Sequence, residues 1–293
     1  MNFERYPLRE IPMPEATNVL YDKFVGLLEE KIEAGCDRNL VCREACRALY
    51  TGQSGLEQLT PETPTHPWSG NLLHAHFDPR NITLEAERYG DCDHELYAPR
   101  KPLIWLWYLF DRSPLGMNID LGFRVRRLLA RYVFRDCGAN FKCFPFVELA
   151  FGYNLSVGDG VVIHRWVNLD DRKRIIIGNR TSLSDFVNIY SHTHDINEQE
   201  LVANVPTVLE DDVRITYHAT ILAGSHVKRG SMIGAGALLT SKVVPAGEIW
   251  IGLPAKKARD KDYFVEPVSG ERWSVEQLRE WRAAQSEEFV WGH

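Results

Sequence analysis

The residues that first invite chemistry lie in NIYSHTHDINE, Asn188 to Glu198, where His192 and His194 flank a threonine. An imidazole with its ordinary pKa of about 6.5 is neutral often enough at pH 7 to accept a proton. Held within hydrogen-bond reach of a hydroxyl, it lets that poor nucleophile attack as the proton leaves. Which histidine is so placed depends on the elements that carry them.

Those elements show a six-residue beat. Stepping by six from Val157 reaches Ile163 and Leu169. Two extra residues later the beat resumes at Ile177, Leu183 and Ile189. After a 20-residue interruption it continues through Leu209, Ile215, Ile221, Val227, Ile233 and Leu239. Four residues after each aliphatic stands a small or β-branched side chain: Val161, Val167, Thr181, Val187, Thr193, Val213, Ala219, Ser225, Ser231, Ala237, Val243. Lys173, at the two-residue slip, is the exception, and Gly158, Gly178 and Gly234 directly follow their aliphatics. This period suits neither an amphipathic helix nor a hairpin sheet. It predicts a solenoid of short strands in which each aliphatic enters a narrow prism and stacks on the next coil, the small residue easing the corner.

The phase of the beat orients the histidines. Ile189 points inward, so His192 and His194, three and five residues later, both point outward. His194 also stands where the beat stops, since Asp195 to Val208 carries none. An interruption of a solenoid is a loop thrown to one side, often the binding side. His194 is therefore expected at the root of a projecting loop, on a rigid coil. Asp195 and Glu198 are near enough in sequence to hold its second nitrogen, but so is any carbonyl, and the sequence leaves that group open.

Four pieces carry a family resemblance: FGYNLSVGDG (151–160), HTHD (192–195), IGAGALLTSKVVP (233–245) and IGLPAKKAR (251–259). Over about 40% of its length, residues 144–259, the chain resembles the hexapeptide-repeat acyltransferases, closest to the maltose and galactoside O-acetyltransferase branch. The resemblance implies a left-handed parallel β-helix, acetyl-CoA as co-substrate with no metal, and homotrimers with sites between neighbouring β-helices. It implies direct acetyl transfer to a sugar hydroxyl without a covalent enzyme intermediate, with His194 as general base and His192 lining the cleft. Asp170 or Asp171 is implied to hold the acceptor, Asp171 fitting the register better. His164 stands where maltose-type enzymes tend to have an asparagine touching the sugar, so the acceptor stays open. Gly224, Ser225, Ala235, Gly236 and Ala237 are implied to line the pantetheine arm, with Thr240, Lys242, Lys256 and Lys257 toward the phosphates. Arg214 stands where many relatives have tryptophan.

The rest of the chain bounds these readings. Its 293 residues, 44% apolar and 25% charged, are enough for a real core. A net charge of −6 with no basic run argues against nucleic acid. The apolar run PLIWLWYLF (102–110) is far short of the ~20 residues of a membrane span. The start has no apolar signal-like segment and the six cysteines form no CxxC pair, so free thiols in a cytoplasmic protein are expected. The expected fold is mainly β: a mostly helical and irregular N-terminal region (1–135) capping the solenoid, the β-helix (136–260) with its loop at 195–208, and a tail with a short helix (261–293). Helices are predicted over 17–34, around 39–51 and within 102–135. Residues 52–100 are Pro-, Gly- and His-rich, fit to narrow a cleft or wrap a neighbour, with His74 and His76 a polar loop pair. Ser274 and Gln277 predict a capping box, with Trp273 packing on Leu278. The rival readings are N-acetyl transfer to an amino sugar or antibiotic, a zinc protein of the carbonic anhydrase kind using His164, His192, His194 or His218, and a non-catalytic scaffold.

Overall fold

The computed structural model describes residues 9, 11–52, 71–266 and 269–284. Residues 53–70, within the predicted irregular stretch, lie outside the described residues.

The six-residue beat becomes three parallel sheets around a prism. One sheet stacks Asp136–Cys137, Leu155–Val157, Ile175–Ile177, Thr207–Leu209, His226–Val227 and Val243–Val244. The second stacks Lys142–Cys143, Val162–Ile163, Ser182–Leu183, Arg214–Ile215, Met232–Ile233 and Glu248–Ile251, and closes with the antiparallel Lys256–Asp260. The third stacks Glu148–Leu149, Asn168–Asp170, Asn188–Tyr190, Thr220–Ile221 and Leu238–Leu239. This is the left-handed parallel β-helix expected. Register places each aliphatic over its counterpart, as in Leu169 opposite Ile189 and Ile189 opposite Ile221. All twelve aliphatics of the beat are at most 3% exposed. Burying such side chains contributes about 1.5–3 kcal/mol each before entropy is counted, which is why the prism needs many coils.

The corners differ in detail from expectation. The residue that turns them is the third after the aliphatic, in the left-handed region: Gly160, Trp166, Arg180, Phe186, Asp212, His218, Gly224, Gly230 and Gly236 all have φ between 56° and 78°. The fourth-after side chain then points inward; Val161, Val167, Thr181, Val187 and Ala219 are wholly buried. Two positions leave the pattern. Thr193 is exposed because the chain has already left the prism there. Val243 is exposed because that coil is one residue shorter, which sets it beside the outward-facing His226 and puts Val244 in the aliphatic row over Val227. Gly158 and Gly178 follow their aliphatics for want of room: a Cβ on Gly178 would lie 2.5 Å from Asp211 Oδ1 and 2.6 Å from Asp211 N.

Both departures from the beat fall at one corner, between the third and first sheets, on adjacent coils. Residues 170–174 bulge on one coil and 190–206 on the next. Ser191 ties them, its Oγ donating to Asp170 O at 2.7 Å and accepting from Lys173 N at 2.8 Å. The corner between the second and third sheets carries instead a ladder of rings, Phe146, Trp166, Phe186 and His218, stacked at 4.3, 6.3 and 4.7 Å.

Seven α-helices are present among the described residues: α1 (Glu15–Glu33), α2 (Arg38–Thr51), α3 (Asn71–His76), α4 (His94–Tyr97), α5 (Lys101–Arg112), α6 (Ile119–Val133) and α7 (Val275–Ala284). His74 and His76 sit on α3 rather than in a loop, edge-on to Phe77 and Trp105. The apolar faces of α5 and α6 cover the open end of the prism. Arg126 of α6, fully buried, pairs with Asp111 of α5 at 2.6 Å and donates to Cys143 O and Gly116 O. Asp111 also accepts from Phe146 N at 2.7 Å, so one buried ion pair joins both helices to the first coil. At the other end α7 has its capping box, Gln277 N to Ser274 Oγ and Ser274 N to Gln277 Oε1, and Leu278 packs with Ala246, Phe264 and Trp273. The cysteines are free thiols: Cys42, Cys46, Cys92 and Cys143 buried, Cys137 half-buried and Cys36 exposed.

Candidate active site

The interruption after Ile189 is a β-hairpin. His192–His194 pairs antiparallel with Val202–Asn204, His194 opposite Val202. Asp195 closes the turn by accepting from Asn197 N at 2.8 Å and Glu198 N at 3.1 Å. These backbone bonds hold its carboxyl below the usual range, and they commit it to the turn and not to an imidazole. The turn delivers the carbonyl of Gln199 to His194 Nδ1, 2.6 Å away. A carbonyl can only accept, so Nδ1 carries the hydrogen, and in the neutral ring Nε2 presents a lone pair. The orienting group the sequence left open is therefore a peptide oxygen, which no side-chain pattern announces. His194 itself is exposed.

His192 is half-buried, its ring edge-on to that of His194 at 5.2 Å. Its Nδ1 lies 2.9 Å from Asp170 Oδ2, but off the line of a hydrogen bond, and no described residue gives it a directed partner. Burial, then Arg172 and His194, lower its pKa. His192 is thus kept neutral between a carboxylate and the exposed imidazole.

The two aspartates of the slip divide their tasks, contrary to the register argument that favoured Asp171. Asp171 turns inward, wholly buried, and accepts from Phe151 N at 2.8 Å and Asn154 N at 3.1 Å. Burial outweighs these bonds and pushes its pKa up to about 7. It knits two coils together and has no access to an acceptor. Asp170 faces the cleft instead. Burial, reinforced by Glu85 and Asp91 and opposed by Arg172 and His194, raises its pKa to about 6.

The sequence offered residues 52–100 as a stretch fit to narrow a cleft, but it singled out none of the residues that cover this corner. Asp91 forms a two-point ion pair with Arg172, at 2.7 and 3.0 Å, across 81 residues, and also accepts from Asn204 Nδ2 at 2.8 Å. The Arg172 guanidinium lies 4.4 Å from the centre of the Tyr89 ring. One N-terminal carboxylate therefore pins both the bulge and the returning strand of the His194 hairpin. Between the segment around residues 84–112 and the lower coils is a cavity of about 340 Å³, lined in part by Tyr89, Tyr108, Glu148, Asn168 and Asp170.

The other predicted residues do not all converge. Gly224, Thr240 and Lys242 lie on the edge that carries His194; a Cβ on Gly224 would lie 3.1 Å from Val205 of the projecting segment. Ala235 and Gly236 are exposed on the next edge, with the ring ladder. His164 leads into that same corner, stacked on Phe144 at 4.6 Å, and burial lowers its pKa. The side chains of Ser225 and Ala237 are buried, the Ser225 hydroxyl donating to Leu222 O, because the fourth-after position points into the prism; only their backbone could face a ligand. Lys257 is committed to Glu248 and Asp260, both at 3.0 Å, whereas Lys242 and Lys256 are exposed and form no ion pair among the described residues. No group of three His, Cys, Asp or Glu side chains among the described residues could hold a metal ion, and no described helix is long and apolar enough to cross a membrane.

No family model matches the chain. It is 28% identical over 187 residues to the galactoside O-acetyltransferase of Lactococcus lactis subsp. lactis (strain IL1403), spanning 60% of this chain and 86% of that protein. Its fold matches the crystal structure of a maltose O-acetyltransferase from Clostridium difficile 630, with a TM-score of 0.51 and 22% identity over 61% of this chain and 98% of that one. A galactoside acetyltransferase in complex with coenzyme A matches with a TM-score of 0.51 and 20% identity, over 61% of this chain and 92% of that one. In its coils, its ordered motifs and its relatives, this chain resembles the hexapeptide-repeat acetyltransferases of the galactoside and maltose O-acetyltransferase kind.

Proposed function

We propose that the protein is an acetyl-CoA-dependent O-acetyltransferase acting on a hydroxyl of a saccharide, with His194 as general base. The observation that carries this is the 2.6 Å contact of His194 Nδ1 with Gln199 O: a carbonyl takes the hydrogen of Nδ1, which in the neutral ring leaves Nε2 of this exposed residue as a proton acceptor on the hairpin. In the step we propose, Nε2 removes the acceptor hydroxyl proton as its oxygen bonds to the thioester carbonyl carbon. The tetrahedral adduct then breaks its C–S bond, and the departing sulfur takes the proton from the imidazolium, yielding the acetyl ester and free coenzyme A. No enzyme atom bonds to the acetyl group. An amine acceptor would use the same base and is the second reading, since nothing in the hairpin distinguishes oxygen from nitrogen.

Assembly as a homotrimer is part of the proposal. The predicted site residues occupy two edges of one prism: His194, Gly224, Thr240 and Lys242 on one, His164, Ala235 and Gly236 on the other. A single chain cannot bring these edges together, whereas a neighbouring copy can. Trp166, Phe186 and Tyr217, each more than 40% exposed, give the second edge an apolar surface to cover. The exposed positions at Gly236, where a Cβ would meet nothing within 4 Å, and Lys256 suit the passage of a pantetheine arm and a phosphate.

The test is thiol release from acetyl-CoA with a panel of saccharides and amines. His194→Ala is expected to lower kcat by about 10²–10⁴, the usual contribution of a positioned base, while coenzyme A binding persists. Loss of turnover in His192→Ala with His194→Ala intact would overturn the assignment.

A further inference from the structure

The cavity beside Asp170 has an electrical character that the transferase reading does not use. We infer that it is the acceptor pocket, and that it selects an uncharged or cationic polyhydroxylated acceptor against an anionic one; this rests on the transferase reading above. The first argument is position along the solenoid. Glu148 belongs to the first coil, Asn168 and Asp170 to the second, His194 projects from the third, and Gly224 and Thr240 belong to the fourth and fifth. Coils rise about 4.7–4.9 Å each. The cavity therefore lies one to two coils below the base, and the candidate donor positions on the same edge lie one to two coils above it. Asp170 links the two through His192: it lines the cavity and lies 2.9 Å from His192, whose ring stands edge-on to that of His194.

The second argument is the lining. At about 340 Å³ the cavity is at the small end of ligand pockets, which run about 300–1,000 Å³, room for one or two sugar rings. Tyr89 and Tyr108 offer ring surface for the apolar faces of a sugar. The Glu148 carboxylate and the Asn168 amide make no hydrogen bond or ion pair to any described residue, so both are free to meet hydroxyls. Three carboxylates line the space, Glu85, Glu148 and Asp170, against one guanidinium, Arg112. Arg112 is turned toward its own helix, donating to Tyr108 O at 3.1 Å. Glu85 accepts from the Tyr89 hydroxyl. A phosphate or uronate entering this space meets an excess of like charge, three carboxylates to one guanidinium in the lining, while a neutral hydroxyl or an ammonium meets acceptors. The selecting wall comes from the N-terminal segment, which the β-helix alone does not supply.

The experiment compares acetyl-CoA-dependent thiol release by the full chain with a methyl hexoside, a hexosamine, a hexose phosphate and a hexuronate. Release is expected with the first two, and kcat/KM for the two anions at least about tenfold lower, with the gap narrowing as salt rises. Glu148→Gln is expected to raise KM for the hexoside about tenfold with little change in kcat, as loss of a charged hydrogen bond to substrate does, and to reduce the disadvantage of the phosphate. Preference for an anionic acceptor, or an unchanged KM for every acceptor in Glu148→Gln, would overturn the pocket while leaving the transferase reading standing. No release with any acceptor, with acetyl-CoA still shown to bind by thermal shift, would overturn the transferase reading and the pocket's role with it.

Discussion

Replacing Asp170 by asparagine should make the protein more stable above neutral pH and less active. Asp170 is largely buried, and its pKa stands at about 6 against 3.8 for a free carboxyl, the first cause being burial. Ionising it in the folded chain instead of the unfolded one therefore costs about 3 kcal/mol, at 1.36 kcal/mol per pKa unit. The folded state binds the proton more tightly, so the cost is absent below pH 4, grows between pH 4 and 6, and is fully present at pH 8. Asparagine has nearly the same shape and never ionises. With the lost contact to His192 set against the gain, about 1–3 kcal/mol of stabilisation should remain at pH 8 and none at pH 4, or about 2–10 °C in Tm for a chain of this size. Thermal unfolding of both proteins at pH 4.5 and pH 8 measures this directly, and thiol release on the same samples shows whether activity falls. A variant destabilised equally at both pH values would refute the reasoning, since it would mean that the carboxylate is not strained by burial at all.

Other expectations follow from single contacts. Asp91→Asn leaves the buried Arg172 guanidinium without its counter-charge and slackens Asn204; about 1–3 kcal/mol of stability should be lost, with faster hydrogen exchange across 192–204. Unchanged exchange there would show that the N-terminal segment does not hold the hairpin. Asp111→Ala strands the Arg126 charge beneath α5 and α6 and should cost about 3–5 kcal/mol in urea unfolding. Gly178→Ala should cost about 1–3 kcal/mol, because its Cβ would strike the Asp211 backbone. Gly26→Ala, in α1 with nothing within 4 Å of a new Cβ, should stabilise by about 0.5–1 kcal/mol.

The periodic part of this molecule was legible in the sequence because a narrow prism tolerates few side chains at its inward positions. Val, Ile and Leu every six residues dictate coil, register and core, and everything outward follows from the phase. That is why His194 could be placed outside the prism at the root of a projection, and why the capping box at Ser274 and the first two helices, expected over 17–34 and around 39–51 and found at 15–33 and 38–51, were visible from local chemistry. What tertiary structure alone decided lies where the period fails. At the slip after Leu169 there is no beat to say which of two adjacent aspartates turns in, and burial against the Phe151 and Asn154 amides takes Asp171, leaving Asp170 to the cleft. The tautomer of His194 rests on a peptide carbonyl, and every residue has one. The clamp of Asp91 on Arg172 joins segments 81 residues apart, and only the folded chain brings such partners together. The division of the predicted donor residues between two edges, with Ser225 and Ala237 inside, comes from three-fold geometry: a six-residue repeat specifies which way a side chain points, and the count of coils and corners specifies what it faces.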